Sequence, residues 1–481
     1  MLGLKRSKEV KLVCHQPEWD LIAAQRIKQL WDAIGSSVID IQHVGSTSIP
    51  HIKAKPDMLI AVGLESVNDV SEILIRLKEI GISQIPTQIE TDILCALDDE
   101  IEHGVHTLYI HLLPHNSRMW RENINFRDYL ADFPQKAANY EKLKIDLAAQ
   151  YPTSRRDYKK GKLAFFKTHF IEAHLYKDMK QKFDIATFEP INKGWSSDQK
   201  YYIKTVDGRQ FLLRVSNQEE YERKKNEFAM LKKAESLGIP LSSPIDFGLC
   251  NNNQNVYQLL TWVEGVDVRE VLPRLTEKKR YELGIKMGEL LSKIHSFPAF
   301  EITESWDVWF WCETSKKIDI YHSNNSVQSD RGDLLVKHLQ ENRALLANRS
   351  QTFNHGDFGT SNIILMPDGE LGCIDFSCDV NDHGDPWWEF DSIASWGEEP
   401  CPYLYTGFIN GYFDHDSPPM AFFEVLAYYF AYAALTALCE TAASNQKESE
   451  EGKRHMDNIL HWFNDMNDPV PTWYLQDVRH I

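Results

Sequence analysis

No two cysteines of this 481-residue chain stand as a CxxC pair, and none joins histidines at the spacing of a zinc site. The eight cysteines, Cys14, Cys95, Cys250, Cys312, Cys373, Cys378, Cys401 and Cys439, are scattered and read as the reduced thiols of a cytoplasmic protein. An apolar run long enough to cross a bilayer is also missing. The longest, residues 425–438, contains Thr436, follows Glu424 and reads as a buried helix. The opening segment MLGLKRSKEVKLVCHQPEW has basic residues without a continuous apolar core, so no secretory signal is expected. Positive charge is short as well: 52 Lys and Arg against 70 Asp and Glu give a net charge of −18. Such a surface repels nucleic acid and anionic membrane, neither of which is expected as a partner, and favours a cationic substrate. There is no internal repeat and no low-complexity tract.

What is present is the composition of a folded chain, 43% hydrophobic and 25% charged, at a length that implies two or three domains. Two patterns meet near residues 176–183. Before the junction, helical and strand-like segments alternate and end in a charged helical stretch, residues 158–182, whose apolar residues keep helical intervals. This connector predicts domains that pack together. From Ile185 short strands dominate: KYYIKTVD and RQFLLRVS are joined across Asp207-Gly208, a two-residue hairpin signal. A helix is predicted over residues 218–237, then the strands PIDFG and VYQLLTWVEG with NNNQN as the loop between them. Beyond Val268 helices prevail, interrupted by one strand-loop-strand unit.

That unit carries the most informative segment, residues 355–391, with HGDFGTSN, CIDF and GDPWWEFD in order. Phosphoryl transfer asks a protein mainly for a carboxylate that orients the acceptor hydroxyl and for oxygen ligands that hold Mg²⁺ on the ATP phosphates. Asp357 suits the first task; Asn362 and Asp375, returned to one pocket by a loop and a hairpin turn, suit the second. The segment resembles the aminoglycoside phosphotransferase family of small-molecule kinases, which use an HGD-x4-N loop and a later metal-binding Asp within an IDF or IDW strand. The resemblance implies a protein-kinase-like bilobal fold, with Asp357 as catalytic base and Asn362 and Asp375 as metal ligands. GDPWWEFD is similar to the family's GDP-x-x-D segment, with Glu389 at the last acidic position. Asp385 is expected to brace the catalytic loop, and Trp387, Trp388 and His295 to be structural.

The small lobe should then offer a phosphate-covering turn, a cation and an acid that positions it. KGWSSDQK, residues 193–200, supplies the turn, where Gly194, Ser196 and Ser197 could turn backbone N–H groups toward phosphate, although an ordinary hairpin turn reads the same way. In FLLRVS the family's phosphate-binding lysine is replaced by Arg214, whose planar fork can still bind phosphate. Glu227, in KKNEFAMLKK, is its expected partner. Residues 257–262 would form the hinge strand beside the adenine. The acceptor site is expected in the helical lobe around Asp307, Trp309, Trp311 and residues 422–440, where Glu301, Glu304, Asp307 and Glu440 could meet ammonium groups.

The first half contains HVGSTSIPHIKAKPDMLIAV and HLLPHNSRMWRENINFRDYLADFPQKAANYEKLK. These resemble the GrpB family of nucleotidyltransferase-like proteins, over roughly residues 10–168. That superfamily sets a Gly-Ser turn after a strand to cradle phosphate and two alternate carboxylates on the next strand to hold metal. Here Gly45 and Ser46 supply the turn and Asp57 the first carboxylate, while Leu59 fills the second position. Lys55 could neutralise phosphate. His111 reads as structural, and Arg127 and Asp128 as helix-borne charges that fix the domain.

The expectation is a two-domain α+β and α/β protein. A nucleotidyltransferase-like mixed sheet with helices occupies residues 1–178, followed by a kinase-like domain over residues 183–481, with its small lobe at 183–266 and helical lobe at 267–481. It would use ATP and Mg²⁺ to phosphorylate a hydroxyl of a small polar molecule, an aminoglycoside-like antibiotic or a metabolite. Two rivals are a nucleotide-binding sensor or scaffold with degenerate sites, suggested by Arg214 and Leu59, and nucleotidyl transfer by the first domain.

Overall fold

The computed structural model describes residues 9–67, 70–86, 93–98, 106–193, 197–299, 302, 304–376, 383–393, 400–414, 417–441 and 446–478. The chain divides into two compact units, one of Met1–Phe188, Lys204–Arg209 and Cys250–Gln254, the other of Glu189–Ile203, Gln210–Leu249 and Asn255–Ile481.

The first unit is built on a mixed sheet of β1 (Asp40–Val44), β2 (Met58–Leu64), β3 (Ile82–Gln84), β4 (Ile93–Leu97) and β5 (Leu108–Pro114), in the order β1-β2-β5-β4-β3. β2 lies between β1, antiparallel, and β5, parallel, and its sequence MLIAVGL is apolar throughout because both of its faces are covered. Side-chain alternation assigns the two faces. Met58, Ile60, Val62 and Leu64 join Trp19, Leu30, Ile34 and Leu77 in one core, while Ala61 packs with Val44, Leu113 and Trp120 on the other face. The helix expected without interruption over residues 158–182 is instead two, Arg155–Gly161 and Leu163–Lys180, parted at Lys162. Gly161 lies so close to Leu147 that a Cβ there would collide with its side chain.

A second sheet holds β6 (Ile185–Ile191), β7 (Gln199–Thr205), β8 (Gln210–Asn217), β9 (Pro244–Cys250) and β10 (Asn255–Thr261), ordered β6-β7-β8-β10-β9. β7 and β8 turn at Asp207 and Gly208, where Gly208 has φ 91° and Thr205 N–H donates to the Arg209 carbonyl at 2.9 Å. The helix Tyr221–Ser236 follows β8. Short strands complete the rest: β11 (Val266–Asp267), β13 (Ile363–Leu365) and β14 (Leu371–Cys373) form one sheet, and β12 (Thr352–Phe353) pairs with β15 (His383–Gly384). Around them the helices Glu277–His295 and Pro402–Tyr412 approach through Gly288 and Gly411, where any Cβ would meet the facing backbone. The apolar helix Met420–Thr441 is, among the described residues, the one helix long and apolar enough to cross a membrane. It is mostly buried, with Phe422, Leu426, Tyr428, Tyr429 and Leu435 in the core of the second unit.

Candidate active site

The loop between β12 and β13 is shaped by its own hydrogen bonds. Gly359 N–H donates to the Asp357 carbonyl and Asn362 N–H to the Gly359 carbonyl, both at 2.9 Å. Asn362 Nδ2 donates to the Asp357 carbonyl at 3.0 Å and to its Oδ2 at 2.7 Å, fixing an exposed carboxylate from a buried amide. The β13–β14 hairpin pairs Ile363 with Cys373, and Ile374 N–H donates to the Asn362 carbonyl at 2.9 Å, so Asp375 emerges beside Asn362. Asp375 takes φ 55°, a left-handed backbone that Asp tolerates better than most residues. The structure thus brings Asp357, Asn362 and Asp375 together.

Glu389 is what holds this loop. Its carboxylate is buried and accepts from the His355 N–H at 2.8 Å and the Gly356 N–H at 2.5 Å, with His295 Nε2 at 2.8 Å. Burial alone would raise its pKa, but the bonds and charges of His295 and His355 outweigh it and keep the carboxyl below its ordinary value. Asp385 has a different task from the loop brace expected of it. It is fully buried and takes Arg349 through Nε at 2.5 Å and Nη2 at 2.7 Å, and the Tyr429 hydroxyl at 2.6 Å, which ties it to the long helix.

On the small-lobe side six charges meet. Arg214 donates from Nε to Asp198 Oδ2 at 3.0 Å and from Nη1 to Glu227 Oε1 at 3.0 Å, and Nη1 lies 3.5 Å from Asp375 Oδ1. Lys224 reaches Asp198 at 2.6 Å and Glu227 at 3.1 Å, and Lys200 reaches Asp375 Oδ2 at 3.1 Å. Asp198 also accepts from the Ser216 hydroxyl at 2.7 Å. Burial pushes Asp198 up, yet Arg214, Lys224 and Ser216 bring it down to about 2. Asp375 is likewise raised by burial and more strongly lowered by Arg214 and Lys200, ending below its usual range. Asp198, Lys200 and Lys224 were not singled out in sequence. Asp198 and Lys200 alternate at the end of the segment read as a phosphate turn, and Lys224 stands one helical turn before Glu227. Of that turn, Ser197 is exposed, while Gly194 and Ser196 lie outside the described residues.

A cavity of about 210 Å³ opens beside Asp357, lined also by Phe358, Trp388, Asp391 and Ser392. Burial, with Glu389 and Asp357 nearby, pushes Asp391 up to about 7. Trp309 packs on Trp388 with ring centroids 5.8 Å apart. Trp311 lies under the Arg343 guanidinium and Glu440 pairs with Lys317 at 2.6 Å; Glu301 is outside the described residues.

In the first unit Gly45 (φ 80°) ends β1, and Ser48 Oγ donates to its carbonyl at 2.6 Å. The Ser46 and Tyr140 hydroxyls are 3.2 Å apart. Leu59, opposite Val44 across β1–β2, closes against the turn, 3.4 Å from where a Cβ on Gly45 would stand. Asp57, just ahead of β2, is paired with Lys55 at 2.6 Å. Burial lowers Lys55 against the pull of Asp57, and lowers Lys162 to about 8 and Lys144 to about 7. Arg127 donates to Gln42 and to the His43 carbonyl at 2.9 Å each, the scaffold role expected of it. Among the described residues no group of three His, Cys, Asp or Glu is placed to hold a metal.

Two family models match the chain: GrpB protein over residues 9–172 and Phosphotransferase enzyme family over residues 187–423. The Glutamate-rich protein GrpB of Alkalihalophilus pseudofirmus is 37% identical over 167 residues, which are 34% of this chain and 95% of that one. Among solved structures, the gentamicin complex of APH(2'')-IIa is 16% identical, covers 59% of this chain and 94% of its own, and has a TM-score of 0.43. Choline kinase LicA from Streptococcus pneumoniae is 14% identical over 60% of this chain and 99% of its own, with a TM-score of 0.41. The chain therefore belongs to the GrpB family through residues 9–172, and residues 187–423 match the model of the phosphotransferase enzyme family.

Proposed function

We propose that the second unit transfers the γ-phosphoryl group of ATP to a hydroxyl of a small polar acceptor. The observation that carries this reading is the Asn362 amide on Asp357 Oδ2, which leaves Oδ1 of an exposed carboxylate for the acceptor hydroxyl. Asp357 orients that hydroxyl and takes its proton as the oxygen attacks. Asn362 Oδ1 and the Asp375 carboxylate are hard oxygen donors that fit Mg²⁺, and two protein oxygens suffice where phosphates complete the shell. When bound, that ion neutralises charge on the phosphates. Arg214, held by Glu227, lies next to Asp375. An ammonium-bearing acceptor, of which an aminoglycoside is one class, suits a cavity that opens beside the exposed Asp357 carboxylate in a chain of net charge −18.

For the first unit the favoured reading is binding of a nucleotide or phosphate by Gly45, Ser46 and Lys55, without nucleotidyl transfer. Asp57 does not fit a metal pair, since its one carboxylate is already matched by Lys55 and Leu59 adds no charge. Both units would work in the cytoplasm, where scattered thiols stay reduced. We assign the first function to residues 1–178 and the kinase to residues 183–481.

The test is incubation of the chain with ATP, Mg²⁺ and a panel of hydroxylated amines and sugars, products being read by mass spectrometry. Phosphorylated product and ADP are expected, and Asp357→Asn should abolish both while ATP still binds. Full turnover by that variant overturns the assignment, and an adduct with released pyrophosphate would instead favour nucleotidyl transfer.

A further inference from the structure

Arg214 occupies the position of the phosphate-facing cation, but its guanidinium is spent on other partners. Nε and Nη2 both lie on Asp198 Oδ2, at 3.0 and 2.8 Å, and Nη1 is on Glu227 at 3.0 Å. Withdrawing it would strip two buried carboxylates of a cation and leave the Lys224 ammonium shared between them. Breaking one member out of a buried ion cluster is strongly unfavourable. Lys200 is different. It stands on β7, and among the described residues its ammonium has a single partner, Asp375 Oδ2 at 3.1 Å, while Asp375 keeps Arg214 at 3.5 Å. Its four-carbon stem and freely rotating ammonium can turn to a new anion without uncovering a buried charge.

We propose that Lys200 is the side chain that contacts the phosphates of the bound nucleotide, and that Arg214 is a positioning residue for Asp198, Glu227 and Asp375. The assignment rests on the reading of this unit as an ATP-dependent phosphotransferase. Three cations (Lys200, Arg214, Lys224) face three carboxylates (Asp198, Glu227, Asp375), so the cluster is balanced without nucleotide. Positive charge offered to Asp375 from the ligand side frees Lys200, and the freed ammonium lies next to incoming phosphate.

The experiment measures binding of MgATP and of adenosine to the full chain by isothermal titration, alongside thermal unfolding, for wild type, Lys200→Met, Lys200→Arg and Arg214→Lys. Loss of one charge-assisted contact should weaken MgATP binding about tenfold or more in Lys200→Met, with Arg214→Lys within about threefold of wild type. Adenosine binding should be unchanged in Lys200→Met, Lys200→Arg should keep most of the MgATP affinity, and Arg214→Lys should lower the melting temperature. A wild-type chain that binds no MgATP overturns the phosphotransfer reading and this assignment with it. Wild-type binding that survives Lys200→Met, or falls as far in a thermally unaltered Arg214→Lys, overturns the Lys200 assignment alone.

Discussion

Replacing Glu389 by Gln should loosen the loop that carries Asp357. The Glu389 carboxylate is 5% exposed and accepts from His355 N–H, Gly356 N–H and His295 Nε2 at 2.8, 2.5 and 2.8 Å. Gln keeps one acceptor oxygen and turns a donor NH₂ toward at least one of these groups. A charge-assisted hydrogen bond contributes about 1.5–3 kcal/mol, and a buried donor left without an acceptor costs about 1–3 kcal/mol, so the change costs about 2.5–6 kcal/mol. That is a large part of what holds a domain folded. Because the two units need not unfold together, the local readout is hydrogen exchange at the His355 and Gly356 amides, beside guanidinium unfolding followed by tryptophan fluorescence. The pH dependence has a definite sign. The folded carboxyl sits below its ordinary value of 4.5, so it stabilises the fold above that pH and the stabilisation is lost as pH falls through the lower, folded value. An amide at this position does not titrate, and the Glu389→Gln variant should show a shallower acid limb. Wild-type protection at both amides with an unchanged acid limb would refute the role given to Glu389.

Other perturbations follow from the same interactions. Arg349→Met leaves the fully buried Asp385 with the Tyr429 hydroxyl and the Trp387 N–H but no cation, at a cost of about 3–5 kcal/mol that thermal unfolding should register, and Asp385→Asn in the same chain should recover part of it. Asp391→Asn should stabilise the protein at neutral pH. The folded carboxyl holds its proton up to about 7, while an ordinary one loses it near 3.8, so wild-type stability declines as pH rises between these values and the Asn variant should lack that decline in unfolding measured across the window.

The parts of this fold that were readable in sequence are those fixed by neighbours along the chain. Asp207-Gly208 announces its hairpin because Gly208 must take φ 91°, and NNNQN its loop because Asn251, Asn252 and Asn253 all adopt positive φ. Asp357 and Asn362 share one loop, so their order already states their contact. At the break near Lys162, Gly161 packs closely on Leu147 of another helix, a contact between distant positions that no local pattern announces. Lys200 and Asp375 are separated by 175 positions, and no periodicity relates them. Glu389 and Asp385 look alike within GDPWWEFD; only the backbone N–H groups around each decide which one holds the loop.

Both units depart from their family pattern at a residue that bears on charge, and the consequences differ because the surroundings differ. At Leu59 a carboxylate is missing and nothing replaces it: the side chain closes on Gly45, and Asp57 is neutralised by Lys55. A divalent cation entering there would meet no net negative charge from this pair, and the half-buried Lys55 would oppose it. At Arg214 a cation is retained, but its fork geometry draws in Asp198, and Lys224 joins to balance the added carboxylate. The guanidinium becomes structural through the planar, many-donor geometry that makes arginine a stronger buried partner than lysine. The cluster stays neutral, Asp375 keeps its place at the end of the hairpin, and Lys200 is left with the simplest set of contacts. Under the assignment proposed for Lys200, a substitution that preserves charge would let phosphate binding pass to a neighbouring strand, whereas one that deletes charge would remove the conditions for metal chemistry in the first unit.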